Sequence, residues 1–301
     1  MIRVAPSGEV LGARVTGLDL REPLDATAFG RILMALGRHG VLCFPGQQLD
    51  SASLKAFAGR FGGLEINVAA AYQDSAHPEV MTLSNIVEDG RPVGLADAGQ
   101  DWHTDMSYSE EIAFANALYA IRVPRRDGRP LGDTEFANMR AAYAGLPQAL
   151  KERLDGMTLL HDFAKFWDRM RARPGSTRAP LSREQRAKKP PVSHPIFLTH
   201  PITGEKVLYA NPGYAMRINE LPERESERIL DFLFEHQLQA KYRWRHRWSE
   251  GDLLLWDDIG TLHYAHPDYR ADEPRLIKRC QVMADRIFDP AFVQAALAAA
   301  E

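Results

Sequence analysis

Apolar residues repeat with two different spacings along the chain, and each spacing predicts one kind of secondary structure. From Phe29 to Leu36 they follow the i, i+3, i+4, i+7 spacing of an amphipathic helix. Asp25 before this segment and Gly40 after it are residue types that commonly begin and end helices. Similar patterns predict further helices at residues 54–61, 139–144, 147–154 and 223–236.

Short apolar runs bounded by turn residues predict β-strands, and these runs follow one another closely in the C-terminal part of the chain. Many short strands with few helices predict a mainly β chain with flanking helices (α+β), closed into a β-sandwich of the jelly-roll type. Because 301 residues fit one large β domain, we expect a single domain over residues 1–301. The predicted strands cover residues 41–44, 80–83, 113–123, 195–199, 206–210, 242–248, 253–256, 261–265 and 275–283.

Composition and charge narrow the range of partners. A net charge of −3 and a pI of about 6.4 give no general attraction to nucleic acid or to anionic membranes. No apolar run approaches the ~18 residues of a membrane span, and no apolar leader is visible, so we expect a cytoplasmic protein. The two cysteines, Cys43 and Cys280, both lie in apolar runs and predict buried thiols rather than a disulfide framework. We also expect a homo-oligomer that binds neither nucleic acid nor membrane.

The stretch from Trp102 to Tyr108 contains the first candidate for a metal site. His103 and Asp105 are two residues apart, so on an extended strand both side chains would point to one face and could bind one ion. A distant histidine, His263, would complete a set of two histidines and one carboxylate, which is typical of non-haem Fe(II) oxygenases. His266 is the competing third ligand. The alternative interpretation is a histidine at a strand end that bonds to a turn aspartate.

Two arginines after His263 indicate which kind of molecule would bind beside the metal. Arg275 lies 12 residues after His263, and Arg279 lies four residues further. On a strand their side chains share a face, and two inward-pointing guanidinium groups are costly to bury unless anions meet them. This pattern favours a site for carboxylates. A structural salt bridge from Arg275 to Asp257 or Asp268 is the alternative.

With these residues in place, the chain resembles the taurine dioxygenase (TauD/TfdA) family of Fe(II)- and 2-oxoglutarate-dependent dioxygenases, which includes aryloxyalkanoate dioxygenases. The resemblance runs from about residue 10 to residue 285, in the order of the family's motifs. It implies the family's double-stranded β-helix, a cupin-like jelly roll. The matching pieces are Trp102-His103-Thr104-Asp105, Gly132-Asp133-Thr134, His161-Asp162-Phe163, His200-Pro201-Ile202-Thr203-Gly204, Trp256-Asp257, His263-Tyr264-Ala265 and Arg275-Leu276-Ile277-Lys278-Arg279.

The resemblance also implies cofactors and a role for each site residue. Fe(II) would be held by His103, Asp105 and His263, with 2-oxoglutarate and O2 as co-substrates. Arg275 and Thr134 would bind the far carboxylate of 2-oxoglutarate, since the planar guanidinium matches a carboxylate bidentately. Residues of the substrate pocket would be Arg279, which would bind an anionic group, and Ala69, Tyr72, Phe166, Trp167 and Tyr209.

The implied reaction is hydroxylation of a small organic anion with release of succinate and CO2. Candidate substrates are a sulfonate, a sulfate ester, an aryloxyalkanoate or a related carboxylate. Ala69 stands where the taurine enzymes carry a histidine, so we expect a larger and more apolar substrate than taurine. Asp105 argues against a halogenating variant, which needs a small residue there. A zinc-dependent hydrolase and a non-catalytic metal-binding β-barrel are the two alternative functions.

Residues 165–191 differ in composition from the rest of the chain because they carry a dense run of arginine and lysine. One interpretation is a solvated, partly helical surface insertion. The other is a mobile, basic lid that closes over an anionic substrate.

Overall fold

The computed structural model describes residues 2–66, 72–172 and 179–300. A seven-stranded, mainly antiparallel sheet is the largest layer of this mixed α/β structure. Its strands are β1 (Arg3–Pro6), β2 (Ala13–Thr16), β3 (Val41–Phe44), β4 (Met81–Ser84), β7 (Ala113–Arg122), β17 (Leu253–Asp257) and β19 (Leu276–Met283). They lie in the order β1-β2-β3-β17-β7-β19-β4, in which β2 and β3 are parallel and the other neighbours are antiparallel.

A smaller sheet shares a hydrophobic core with the large one. It consists of β16 (Arg243–His246), β10 (Thr134–Asn138) and β18 (Thr261–Ala265), in that order. Trp256 and Leu254 of β17 and Ile277 of β19 pack in one buried cluster with Phe136 of β10. The candidate ligand His263 lies on β18, so the site is built on this second layer. The strands outside the large sheet are β5 (Val87–Glu88), β6 (Arg91–Pro92), β8 (Arg125–Arg126), β9 (Arg129–Pro130), β10 (Thr134–Asn138), β11 (Thr158–His161), β12 (Val192–Pro195), β13 (Phe197–Thr199), β14 (Lys206–Leu208), β15 (Ala215–Ile218), β16 (Arg243–His246) and β18 (Thr261–Ala265).

The helices flank these sheets, and none in the described ranges has the length and apolarity needed to cross a bilayer. The predicted boundaries of α1 are confirmed: the Asp25 carboxylate accepts a hydrogen bond from the Ala28 amide, and Gly40 ends the helix with φ +67°. The helices are α1 (Ala26–His39), α2 (Ser51–Ala58), α3 (Met139–Ala144), α4 (Gln148–Leu154), α5 (Phe163–Arg171), α6 (Arg183–Lys188), α7 (Glu223–Gln237) and α8 (Pro290–Ala298), with a 3-10 turn at Ala240–Tyr242.

Helix α2 is shorter than the apolar pattern predicts. The pattern continues to Phe61, but the α-helix ends at Ala58, and the amides of Arg60 and Phe61 close tighter turns onto Phe57 and Ala58. The ring of Phe61 is fully buried beside Phe57 and Phe29, with ring centroids 5.4 and 5.1 Å away. Phe61 is therefore apolar because it packs in the core, not because the helix continues to this residue. The spacing of apolar residues alone cannot separate these two causes.

The turn between β17 and β18 sets the position of His263, and Asp257 holds that turn together. One carboxylate oxygen of Asp257 accepts from the Ile259 amide at 2.9 Å, and the other accepts from the Gly260 amide at 3.0 Å. The second oxygen also lies 2.8 Å from Nε2 of the buried His200. Since Asp257 is 1% exposed, these contacts replace water completely.

We predict that Asp257→Asn lowers the free energy of unfolding by about 1–3 kcal/mol, because an amide offers one acceptor oxygen where the turn needs two. Equilibrium unfolding in urea measures the change. Asp127→Asn is the matched control, since Asp127 sits in an exposed turn with φ +50°, which asparagine also tolerates. Equal unfolding curves for the two variants would contradict this role of Asp257.

Candidate active site

His103, Asp105 and His263 converge at one point, with one donor atom from each lying within 4.8 Å of the other two. A single β-bridge joins the two histidines: the His103 amide donates to the His263 carbonyl at 3.1 Å, and the reverse bond is 2.8 Å. Their rings are 4.1 Å apart between centroids. Both imidazoles are buried, and the Asp105 side chain is 13% exposed.

The expected extended strand across His103 and Asp105 is wrong beyond that one bridge. Residues from Asp105 onward form a turn, in which Met106 has φ +55°. The Thr104 hydroxyl donates to the Asp258 carbonyl and ties the start of this turn to the end of β17. The turn, rather than strand alternation, brings the Asp105 carboxylate to within 3.7 Å of His103 Nε2.

Hydrogen bonding orients one imidazole, and burial favours the neutral form of the other. Nδ1 of His103 lies 2.6 Å from the Asp101 carbonyl, which accepts only, so Nδ1 donates to it and Nε2 faces Asp105. Burial lowers the pKa of His263 well below its ordinary value, which favours its neutral form. A neutral imidazole is the form that binds a metal.

Asp105 is held as a carboxylate although it is enclosed. Burial alone would raise its pKa, but Arg279, then the two histidines, and a hydrogen bond from Asn116 Nδ2 lower the pKa to about 2. The Arg279 guanidinium lies 3.6 Å from the Asp105 carboxylate. Asp105 therefore remains an anionic ligand at any pH well above 2.

A second buried carboxylate, Asp258, stands behind this cluster and was not anticipated from the sequence. Asn116 Nδ2 donates to both carboxylates, at 2.8 Å to Asp105 and 2.6 Å to Asp258. Asp258 also accepts from the Trp256 indole at 3.0 Å and lies 3.7 Å from His263 Nδ1. Burial, and next the charge of Asp105, raise the pKa of Asp258 well above its ordinary value.

Arg275 lies in the same cavity without a carboxylate partner. Its side chain is buried, and among the described residues it forms no ion pair; its guanidinium lies 5.9 Å from the centre of the Tyr269 ring. The alternative interpretation of Arg275, a salt bridge to Asp257 or Asp268, is wrong. Asp257 instead holds the β17–β18 turn, and Asp268 accepts from the Gly132 amide. The cavity is lined by two of the proposed ligands and three other predicted site residues: His103, His263, Thr134, Arg275 and Arg279.

Thr134 is oriented by an indole on the neighbouring turn. Trp248 Nε1 donates to the Thr134 hydroxyl oxygen at 3.0 Å, inside the buried core. Because that oxygen already accepts a hydrogen bond, the hydroxyl proton is available for an acceptor in the cavity. Thr134 and Arg275 thus present donors to the same space.

The predicted aromatic pocket residues have varied surroundings, and in the described part of the chain none of the four lines this cavity. Tyr72 packs at the edge of the core between the two sheets, and Tyr209 is buried beside His161. Phe166 and Trp167 lie on α5, where Trp167 donates to the Ala179 carbonyl. Ala69 lies outside the described residues.

Two tyrosines near the cluster were missed. Tyr108 lies 4.7 Å from Tyr214 and 4.9 Å from Phe163, and Phe166 packs on Tyr214 at 5.1 Å. Tyr108 was recoverable because it closes the same short stretch as His103, whereas no sequence signal marks Tyr214. Burial and the nearby Asp105 raise the pKa of Tyr108 above its ordinary value.

The residues present fit a divalent transition metal. Two imidazoles and one carboxylate form the donor set, and buried His263 Nδ1 has no hydrogen-bond partner in the described structure. By contrast, His266 lies 3.2 Å from Glu135 and outside the cluster. Because the buried Arg275 guanidinium lines the same cavity as His103 and His263, the site can hold a metal and an acid side by side.

Comparison with known proteins identifies the family. The family described as "Taurine catabolism dioxygenase TauD, TfdA family" matches residues 3–281, so the chain belongs to it. The recognition made from the motifs is confirmed. The class of alpha-ketoglutarate-dependent dioxygenase, which uses Fe(II), 2-oxoglutarate and O2, is confirmed with it.

Three similar proteins illustrate the family. The alpha-ketoglutarate-dependent 2,4-dichlorophenoxyacetate dioxygenase of Cupriavidus pinatubonensis is 33% identical, over 94% of this chain and 98% of the relative. The alpha-ketoglutarate-dependent sulfate ester dioxygenase of Pseudomonas putida is 31% identical, over 92% and 87%. The crystal structure of AAD-2 in complex with Mn(II) and N-oxalylglycine is 26% identical, with a TM-score of 0.77 over 94% and 97%.

We predict that His263→Ala abolishes high-affinity binding of one Fe(II) or Mn(II), because it removes one of three protein ligands. Equilibrium dialysis under anaerobic conditions measures the stoichiometry. His266→Ala is the matched control and should bind metal like the wild type. Metal loss in the His266 variant alone would mean that the wrong histidine has been assigned.

Proposed function

We propose that this chain hydroxylates a small organic anion in an Fe(II)- and 2-oxoglutarate-dependent reaction that releases succinate and CO2. The observation that carries the proposal is the buried, unpaired Arg275 guanidinium in the cavity that His103 and His263 also line. A buried cation without a counter-ion is costly, and a bound dicarboxylate removes that cost. Neither the zinc hydrolase nor the non-catalytic barrel is supported by the relatives.

The predicted metal ligands and the two predicted co-substrate residues each have a role in this reaction. His103, Asp105 and His263 would hold Fe(II), and Arg275 with Thr134 would bind the far carboxylate of 2-oxoglutarate. When bound, the iron couples oxidative decarboxylation of 2-oxoglutarate by O2 to hydroxylation of a substrate C–H bond. The chain itself supplies placement, a dry cavity and fixed charges.

Electrostatics explain why the far carboxylate of 2-oxoglutarate would pair with Arg275 rather than with Arg279. Arg279 lies 3.6 Å from Asp105 and donates to Gln281, so part of its charge is already compensated. Arg275 forms no ion pair among the described residues, and Tyr269 is its aromatic neighbour. A dianionic co-substrate therefore gains more by pairing with Arg275.

We extend the proposal to the fold and to residues 165–191. The two facing sheets support a double-stranded β-helix of the jelly-roll type, in a single domain over residues 1–301.

Within the basic segment, Arg169 of α5 lies 3.1 Å from Asp101, and Lys165 donates to the Ala215 carbonyl. A lid built on α5 would have to break these contacts to open. Cytoplasmic location and homo-oligomeric assembly stay predictions.

We predict that Arg275→Ala raises the 2-oxoglutarate concentration needed for half-maximal rate by about ten- to a hundredfold. A charge-assisted bidentate pair contributes roughly 1.5–3 kcal/mol, which corresponds to that factor. Succinate release at varied 2-oxoglutarate measures it. Arg122→Ala, an exposed arginine on the same sheet, is the control. An unchanged 2-oxoglutarate requirement in Arg275→Ala would show that Arg275 does not bind this co-substrate. The proposed function would then lose its main support.

For the primary substrate we propose an anion larger and more apolar than taurine, bound by Arg279. Phe166, Tyr108 and Tyr214 form an aromatic group close to the ligand-bearing turn, which supports an apolar wall on that side. The relatives named for 2,4-dichlorophenoxyacetate and for a sulfate ester point to the same class. Each additional buried methylene would strengthen binding by about 0.8 kcal/mol, roughly fourfold.

We predict that succinate release increases from taurine through longer alkyl and aryloxy acids, and that Arg279→Ala removes the requirement for an anionic group. Arg279→Lys should keep the anion preference, since it keeps the charge. Metal content must be measured in both variants, because Arg279 also lowers the pKa of Asp105. Taurine as the best substrate, or an unaltered anion preference in a metal-loaded Arg279→Ala variant, would contradict the assignment.

A further inference from the structure

A second group of metal-ligating side chains lies outside the active site. Cys43 is on β3, His246 ends β16, and Asp252 immediately precedes β17; one donor atom from each lies within 4.8 Å of the other two. All three are buried, with exposed fractions of 6%, 8% and 5%. None of them belongs to the proposed iron site, and three separate elements contribute them.

The existing hydrogen bonds leave this group incomplete. Nε2 of His246 is buried and has no hydrogen-bond partner among the described residues, although it lies 3.4 Å from a carboxylate oxygen of Asp252. That oxygen accepts from the Ser249 amide at 2.9 Å. A buried imidazole nitrogen facing a carboxylate and a thiol requires either a proton or a cation.

The three side chains also border an open space. A cavity of about 630 Å³ is lined by all three of them, and by Arg14, Trp244 and Glu250. An ion at the three donors would therefore have solvent or a small anion within reach on its remaining side. This arrangement, three protein ligands and an accessible position, is typical of zinc sites that keep one exchangeable ligand.

We propose that Cys43, His246 and Asp252 form a second metal site, which binds Zn²⁺ or a chemically similar divalent transition metal. A thiolate, an imidazole and a carboxylate are all ligands that zinc accepts, and a sulfur ligand distinguishes this site from the sulfur-free set of His103, Asp105 and His263. A separation of 3.4 Å between the His246 and Asp252 donors is close to the spacing of two ligands about 2.0 Å from one tetrahedral ion.

Binding is an exchange of a proton for a metal. The Cys43 thiol loses its proton to solvent, the sulfur forms a bond to the metal, and no oxidation or reduction occurs. Burial and then the charge of Asp252 raise the pKa of Cys43 to about 12 in the metal-free protein.

The chain offers a matched pair of variants for the test, since it has only two cysteines. The purified full-length protein is titrated with Co²⁺ as a spectroscopic probe for zinc, and bound metal is counted by equilibrium dialysis. Wild type should bind two equivalents and show a thiolate-to-cobalt charge-transfer band. Cys280→Ala, which removes the other buried thiol, should behave like the wild type. Cys43→Ala should lose the band and one equivalent.

A second variant and a stability measurement guard against misfolding. His246→Gln keeps Cys43 but removes the imidazole, so it should lose one equivalent while its circular dichroism matches the wild type. Zn²⁺ should raise the melting temperature of Cys280→Ala more than that of Cys43→Ala, since binding to the native state stabilises it. The proposal is overturned if saturating Co²⁺ gives wild type no thiolate band, or if the band survives in Cys43→Ala.

Discussion

The β-bridge between His103 and His263 is the contact on which the rest of the site depends. Two backbone hydrogen bonds join a turn-forming segment to β18, and they set the two imidazoles next to each other, with 4.1 Å between ring centroids and 47° between the ring planes. The bridge alone could not fix a third donor. The turn after His103 does so, because the Thr104 hydroxyl ties it to the Asp258 carbonyl and redirects the chain toward Asp105. The ligand set is therefore a property of three segments together.

The sequence predicted five of the eight α-helices and about half of the strands of the described residues, but it explained parts of them for the wrong reason. The α1 boundaries were predictable because Asp25 and Gly40 act locally, through a capping hydrogen bond and a positive φ. The α2 boundary was not, because Phe61 is apolar for the sake of aromatic packing against Phe29. Likewise, the spacing of His103 and Asp105 predicted that the two side chains lie close together, and they do, although a turn rather than a strand brings them together.

The parts of the site that the sequence could not reveal are those made by long-range polar contacts. Asn116 lies in the middle of an apolar strand, and nothing nearby in the sequence indicates that its amide reaches two carboxylates. Arg275, which lies just before β19, could be placed on the same side as Arg279, but whether it pairs with Asp257 depended on the β17–β18 turn. Only the tertiary structure shows that Asp257 is already committed to two backbone amides there.

The surroundings shift the pKa values of the two carboxyl groups that share Asn116 in opposite directions. Arg279 lowers the pKa of Asp105 against the effect of burial, while burial and then the like charge of Asp105 raise the pKa of Asp258. The Asn116 amide donates to both groups, at 2.8 Å and 2.6 Å, and so offsets part of the repulsion between them. Because the Arg279 guanidinium lies 3.6 Å from Asp105, the surroundings favour negative charge on the carboxyl group beside the two histidines rather than on the one behind it.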